Sequence, residues 1–390
     1  MTIKALRFAL TVLKHGKHDQ SSHGRRGSGG GGLAPATMGA RPARPSLQQI
    51  IDTARPYADL PIDYTPAQMK FMEQHLQTMQ RHMERTEQIR SYHFNPDGTP
   101  KTPTSRKECF DELRAHARGI IRDSADIESK MSYPSIEQRS KHLADEGNNP
   151  DYAYQMRGNH VNVMNAITLE AWRQNTPGTV PDIVNNNPLL ESEYLGVYKG
   201  ITTLFDYVHT APGDENAPRF NNQLIELVSK PGSNESSFFA PVVDVQEGEI
   251  PKLAINYSTT DVRFTPVVHH EGAHIVQSMK PYHMEADLQY LRDKGGFYPD
   301  ELNYGMPLYV TQDTKVKTHF PYARTVYYHG KLDIQSGLYR VSPIASEVAS
   351  TTAENVFGYA RGSWDTVKDI SKTFTKIPEE AALTYALFNS

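Results

Sequence analysis

The sequence predicts an α+β protein that is predominantly helical, with an N-terminal helical region followed by a domain holding a small sheet and one chemically loaded helix. Three observations predict it. Residues from Ser46 to about Lys230 read mainly as helix. After Pro231-Gly232 the composition turns strand-like at 238–245 (FFAPVVDV) and 253–258 (LAINYS). Helical patterns then return at 266–280, 343–357 and 377–388. No fixed-period repeat is present, which excludes a solenoid or propeller.

The chain has 390 residues, enough for two or three domains and a sizeable core. It divides into a basic tail and linker at 1–45, a helical region at 46–230 and a domain at 231–390. Hydrophobic residues make up 38% of it, so part of the length is expected to be loop or tail. No run approaches the roughly 18 apolar residues of a membrane-spanning helix, and the expectation is a soluble chain without a membrane span. The single cysteine, Cys109, cannot form an internal disulfide, which fits a reducing compartment and excludes a disulfide-stapled scaffold. The net charge of -4 hides an asymmetry: residues 1–45 carry eight Lys/Arg against Asp19 alone, so a tail of +7 precedes a body of -11. Such an arm can dock on an anionic surface or remain a solvated terminus.

Taken in order, residues 2–14 space Ile3, Leu6, Leu10 and Leu13 as a short amphipathic helix that lacks the features of a secretory signal. Ser28–Gly32 (SGGGG) opens a flexible linker to Pro45. The clearest helix starts with Thr65 as N-cap and Pro66 in the first turn, and runs to about Arg90. Met69, Met72, Leu76, Met79 and Met83 give it one core-facing stripe. Residues 91–104, with Asn95-Pro96-Asp97-Gly98, read as a loop. Further helices are expected near 105–122, 160–173, 188–209 and 219–230.

The sharpest signal is His270-Glu271-Gly272-Ala273-His274, an HExxH pattern. Thr265 and Pro266 open a helix around it and Pro281 closes it. One helical turn separates His270 from His274, so both imidazoles leave the same face and can hold one Zn²⁺. Glu271, offset by one position, can take a proton from water attacking a carbonyl. Val268, Gly272, Ile275 and Met279 form a burial stripe, and Gly272 allows a neighbour to approach closely. A catalytic zinc site needs a third ligand. The longer HExxHxxGxxH pattern is absent, since Gln277 and Lys280 hold its last two fixed positions. The first choice is Glu347 and the second Glu354, both on a helix expected to open with Ser342 as N-cap and Pro343 in its first turn, with Ala345, Ala349 and Ala353 letting it pack closely.

On these residues, about 235–360, the chain resembles the zincin metallopeptidases, and within them the gluzincin-like branch. The resemblance implies metal ligands His270, His274 and Glu347, Glu271 as general base, and Zn²⁺ as cofactor. It also implies the 253–258 strand as the edge on which an extended peptide pairs. One departure stands out: the acidic residue that many gluzincins carry four positions after the ligand glutamate is Thr351 here. For oxyanion stabilisation the family reading offers Tyr327, Tyr328, His329, Tyr339 and Arg340, unranked. The tail string KHGKHDQSSHGRRG, residues 14–27, resembles basic tracts of head-morphogenesis and capsid-associated proteins of tailed bacteriophages.

The expectation is therefore a zinc-dependent endopeptidase acting on a protein or peptide, located in the host cytoplasm or in a virion, with a capsid or other anionic partner for its tail. Two alternatives belong to other classes. One is a virion-associated assembly protein whose zincin-like domain has lost turnover. The other is a transferase or toxin active in the helical region, around Glu191-Ser192-Glu193 and Tyr198. No phosphate loop or dinucleotide fingerprint calls for a nucleotide, and the tail lacks the interleaved aromatics of a single-strand binder, leaving nucleic acid an open partner.

Overall fold

Good helix formers and a capped start account for the first element. In the computed structural model, helix α1 spans Leu47–Ala54. The Ser46 hydroxyl accepts from the Gln49 amide at 3.3 Å while the Gln49 side chain accepts from the Ser46 amide at 2.7 Å. This reciprocal box satisfies two donors that a helix start otherwise leaves open. The structure describes residues 46–54, 64, 66–132, 164, 166–173, 183–185, 191–210, 225–229, 238–240, 252–255, 264–296, 298, 302–304, 308–313, 315–318, 321–357 and 374–390. The basic tail, the amphipathic pattern at 2–14 and the glycine-rich linker lie outside them.

Helix α2 is Pro66–His93 and α3 is Ser105–Ser132. The expected stripe holds on α2, where Met72, Leu76, Met79 and Met83 are buried. They meet Cys109, Phe110, Leu113, Ala117 and Ile120 of α3 in the core. Between the two helices Phe94 bridges Pro100 around the Asn95–Gly98 turn, a tight reversal that places α2 and α3 side by side. A helical stretch at 166–173 adds Trp172, whose ring packs against Tyr207, Phe357, Tyr385 and Phe388.

Strand β1 (Ile183–Asn185), helix α4 (Glu191–Phe205) and strands β2 (Ile225–Ser229), β3 (Phe238–Ala240) and β4 (Lys252–Ile255) follow. The sheet order is β1-β2-β4-β3, with β1, β2 and β4 parallel and β3 antiparallel to β4. Two expectations are corrected here. Within the segment expected as a helix at 219–230, Ile225–Ser229 form a strand paired in parallel with β1 and β4, since a short apolar run in sequence suits strand as well as helix. β4 lies between β2 and β3, so both its ladders are occupied and it cannot be the edge for an extended peptide.

Helix α5 (Phe264–Met279) carries the HExxH residues, and after a 3-10 turn at Pro281–His283 comes α6 (Met284–Asp293). Strands β5 (Leu302–Tyr304), β6 (Leu308–Gln312), β7 (Thr325–Asp333) and β8 (Leu338–Ser346) form an antiparallel sheet in the order β5-β8-β7-β6. Helices α7 (Glu347–Val356) and α8 (Pro378–Asn389) complete the chain. The helix expected from 343 thus starts four residues later. Pro343 pairs with Tyr328 and Ala345 with Tyr327, leaving Ile344 as the extra residue of a bulge, the kind of site at which a sheet accommodates proline.

Among the described residues the fold is α+β and mostly helical, and Ser46–Ser390 form one compact unit. Helix α3 packs along α8, and α7 packs along α5. No helix among the described residues is long and apolar enough to cross a membrane.

Candidate metal centre

Two helices and one strand pair build the site. Val268, Ile275 and Met279 sink one face of α5 into the core, as their spacing requires, and this turns His270 and His274 together toward α7. Gly272 makes the burial possible. A Cβ on it would stand 2.6 Å from Leu204 Cδ2 and 3.0 Å from Ile201 Cδ1 of α4. Reciprocally, a Cβ on Gly200 would stand 2.6 Å from Val268 Cγ1, so the two glycines let α4 and α5 approach. Across the site, Ala349 and Ala353 bring α7 close to α5, leaving Glu347 in its first turn aimed between the histidines.

His270, His274 and Glu347 converge. Glu347 Oε2 lies 3.0 Å from His270 Nε2 and 3.3 Å from His274 Nε2. Donors about 2.0–2.1 Å from a tetrahedral centre stand about 3.3 Å from one another, so these separations match the edges of a metal polyhedron. The group can hold a metal ion. Glu354, the second choice as ligand, has a different place: its Oε2 is 3.1 Å from His270 Nδ1, on the far side of the ring. On the other histidine, Nδ1 faces Gln277 Oε1 at 2.8 Å. Acceptors at both Nδ1 atoms favour the tautomer that leaves each Nε2 lone pair pointing into the site.

Two hydroxyls hold the carboxylate of Glu347. Tyr327 donates its hydroxyl to Oε1 at 2.5 Å, and Ser350 donates to Oε2 at 2.5 Å. Thr351, at the position that departs from the gluzincin-like pattern, turns its hydroxyl to the Glu347 backbone carbonyl. Burial works against charge on His270 and His274, but the Glu347 carboxylate outweighs it and raises both imidazoles above their ordinary range. Burial likewise opposes ionisation of Glu347, yet the two histidines, His274 first, hold its carboxyl well below the usual carboxylate range.

Glu271 is almost fully buried, and its charge acts on both histidines and on Tyr322. Of the five oxyanion candidates, Tyr327 is the one brought to Glu347. Tyr328 is buried in the core, and Tyr339 and Arg340 lie toward the hairpin turn, where Arg340 stands 3.4 Å from Asp333. Sequence reasoning missed Tyr322. Its hydroxyl is 3.1 Å from that of Tyr327, its ring centroid is 5.9 Å from that of His270, and 48% of it is exposed. Burial and the nearby Glu347 push both phenols upward, so they remain protonated donors at neutral pH. The aromatic side chain just before β7 gave no signal of its own, because only the 3-10 turn at Pro321–Arg324 brings it over the histidines.

No family model, no curated protein and no solved structure matches this chain. Function therefore has to be argued from the donors themselves and the groups around them.

Proposed function

We propose that His270, His274 and Glu347 hold Zn²⁺ and that the protein hydrolyses peptide bonds. The observation that carries this is the convergence of two Nε2 atoms on one carboxylate oxygen at 3.0 and 3.3 Å, with an acceptor behind each ring. Two imidazole nitrogens and a carboxylate oxygen this close can share one cation among them. Two neutral imidazoles and one carboxylate are the donor set that suits zinc. Bound there, the ion would supply Lewis-acid polarisation of a carbonyl and of water.

The remaining roles fall to the chain's own residues. Glu271, one position from the first ligand and beside both histidines, accepts a proton from the attacking water and returns it to the leaving amine. Tyr322, half exposed at the mouth of the site, is the phenol placed to donate to a substrate oxygen as charge develops there. Tyr327 serves Glu347 instead, since its hydroxyl is already committed to Oε1. The test compares wild type with Glu271→Gln on a peptide library, with zinc content measured for both. Cleavage by wild type and none by a zinc-loaded variant supports the proposal. Zinc binding without cleavage of any peptide would favour an assembly role for the same site.

A further inference from the structure

One buried side chain touches two arms of the centre at once. Gln277 accepts from His274 Nδ1 through Oε1 at 2.8 Å, and donates through Nε2 to the carbonyl of Ser346 at 2.9 Å. Ser346 immediately precedes Glu347. We propose that Gln277 is a positioning residue that locks the tautomer of His274 and the placement of Glu347 together, a role that rests on the metal-centre reading above.

The contacts around Gln277 continue through Ser346 to Asp287. Ser346 donates its hydroxyl to Asp287 Oδ2 at 2.5 Å, and His283 Nε2 lies 3.4 Å from the same oxygen. His283 Nδ1 donates to the Lys280 carbonyl at 2.6 Å, at the end of the helix on which Gln277 sits. Gln277, Ser346, Asp287 and His283 are all buried, so water does not compete for these groups. Ser346 is also the N-cap of α7, but its hydroxyl makes no capping bond and goes to Asp287. The two bonds at Ser346 thereby hold the β8–α7 junction from which Glu347 projects. The position needs an acceptor and a donor on one planar head: a glutamate in its charged form would face the Ser346 carbonyl with a second acceptor, and a hydrocarbon would offer neither.

The experiment uses the full chain as wild type, Gln277→Met and Gln277→Glu. Zinc affinity is measured by chelator competition, the visible spectrum of the Co²⁺-substituted protein reports ligand geometry, and melting of the metal-free forms reports folding. Gln277→Met, similar in shape, should bind zinc about 10–100-fold more weakly and change the cobalt spectrum. Gln277→Glu keeps an acceptor for His274 and should fall between wild type and Gln277→Met. Wild-type affinity and spectrum in both variants would overturn the proposal, as would a Gln277→Glu as weak as Gln277→Met. If Gln277→Met does not fold, Gln277→Glu decides alone: weakened affinity with a changed spectrum supports the role, and unchanged values overturn it. Wild-type protein that takes up neither metal overturns the metal centre itself, and this role with it.

Discussion

Glu347 divides its partners between its two oxygens: Tyr327 holds Oε1, while Ser350 and both histidine Nε2 atoms meet at Oε2. That division separates the two phenols by function. Tyr327→Phe removes a charge-assisted hydrogen bond from a ligand, so zinc affinity should drop in chelator competition. Tyr322→Phe should weaken zinc binding less than Tyr327→Phe and lower kcat by about 10²–10³, the usual cost of one oxyanion donor. Glu271→Gln should lower kcat by at least about 10² with zinc still bound, measured on the same peptide substrate. The pairing of His270 and His274 was legible in the sequence because helical spacing alone puts them on one face, and Glu347 was the first choice over Glu354 on the helix expected from 343. Tyr322 and Gln277 were not legible, since their parts depend on a 3-10 turn and on the β8–α7 junction, which no local pattern encodes.

At the level of elements, the centre depends on how closely α4, α5 and α7 pack. Gly272→Ala gains about 1 kcal/mol in helix propensity but drives a methyl into Leu204 and Ile201. Overpacking of this kind costs about 1–3 kcal/mol, so the variant should be no more stable than wild type in urea unfolding and should loosen α5 against α4. The far end of α5 makes a different contact. Lys280 is fully buried, and its Nζ donates to the carbonyls of His209, Leu387 and Ser390 at 2.9, 2.9 and 2.6 Å. It thus terminates α8, where a positive charge complements the helix dipole. Lys280→Met removes the charged donor from those carbonyls and should cost about 2–3 kcal/mol in the same assay. Boundaries were legible at Pro66, which opens α2, and at Pro281, which follows the end of α5. They misled at Ser342-Pro343, where a bulge lets the strand run on, and at 225–229, where a short apolar run fits helix and strand alike.

Across the whole molecule, the helices of the N-terminal region and the C-terminal α8 share one core. Thr86 and Tyr385 are hydrogen-bonded at 2.6 Å, and Trp172 sits among Tyr385, Phe388 and Phe357. His75 is buried in this core, and His116 and His209 are partly buried beside it. Burial lowers His75 from 6.5 to about 4, with a smaller contribution from His82, and lowers His116 and His209 as well. Between pH 6.5 and about 4 the unfolded chain takes up a proton at His75 that the folded chain refuses, so stability falls as pH falls through that window. For His75 the loss is about 3 kcal/mol, and His75→Leu should flatten the acid limb of stability against pH measured by urea unfolding. Zinc should also leave in acid, because protons compete for its imidazoles. The most direct test of the central claim is the zinc content of purified full-length protein, with His270→Ala and Glu347→Ala measured beside it. The account predicts about one zinc per chain in wild type, loss in His270→Ala and weakened binding in Glu347→Ala. A folded wild-type protein that holds no zinc after incubation with the metal would contradict it.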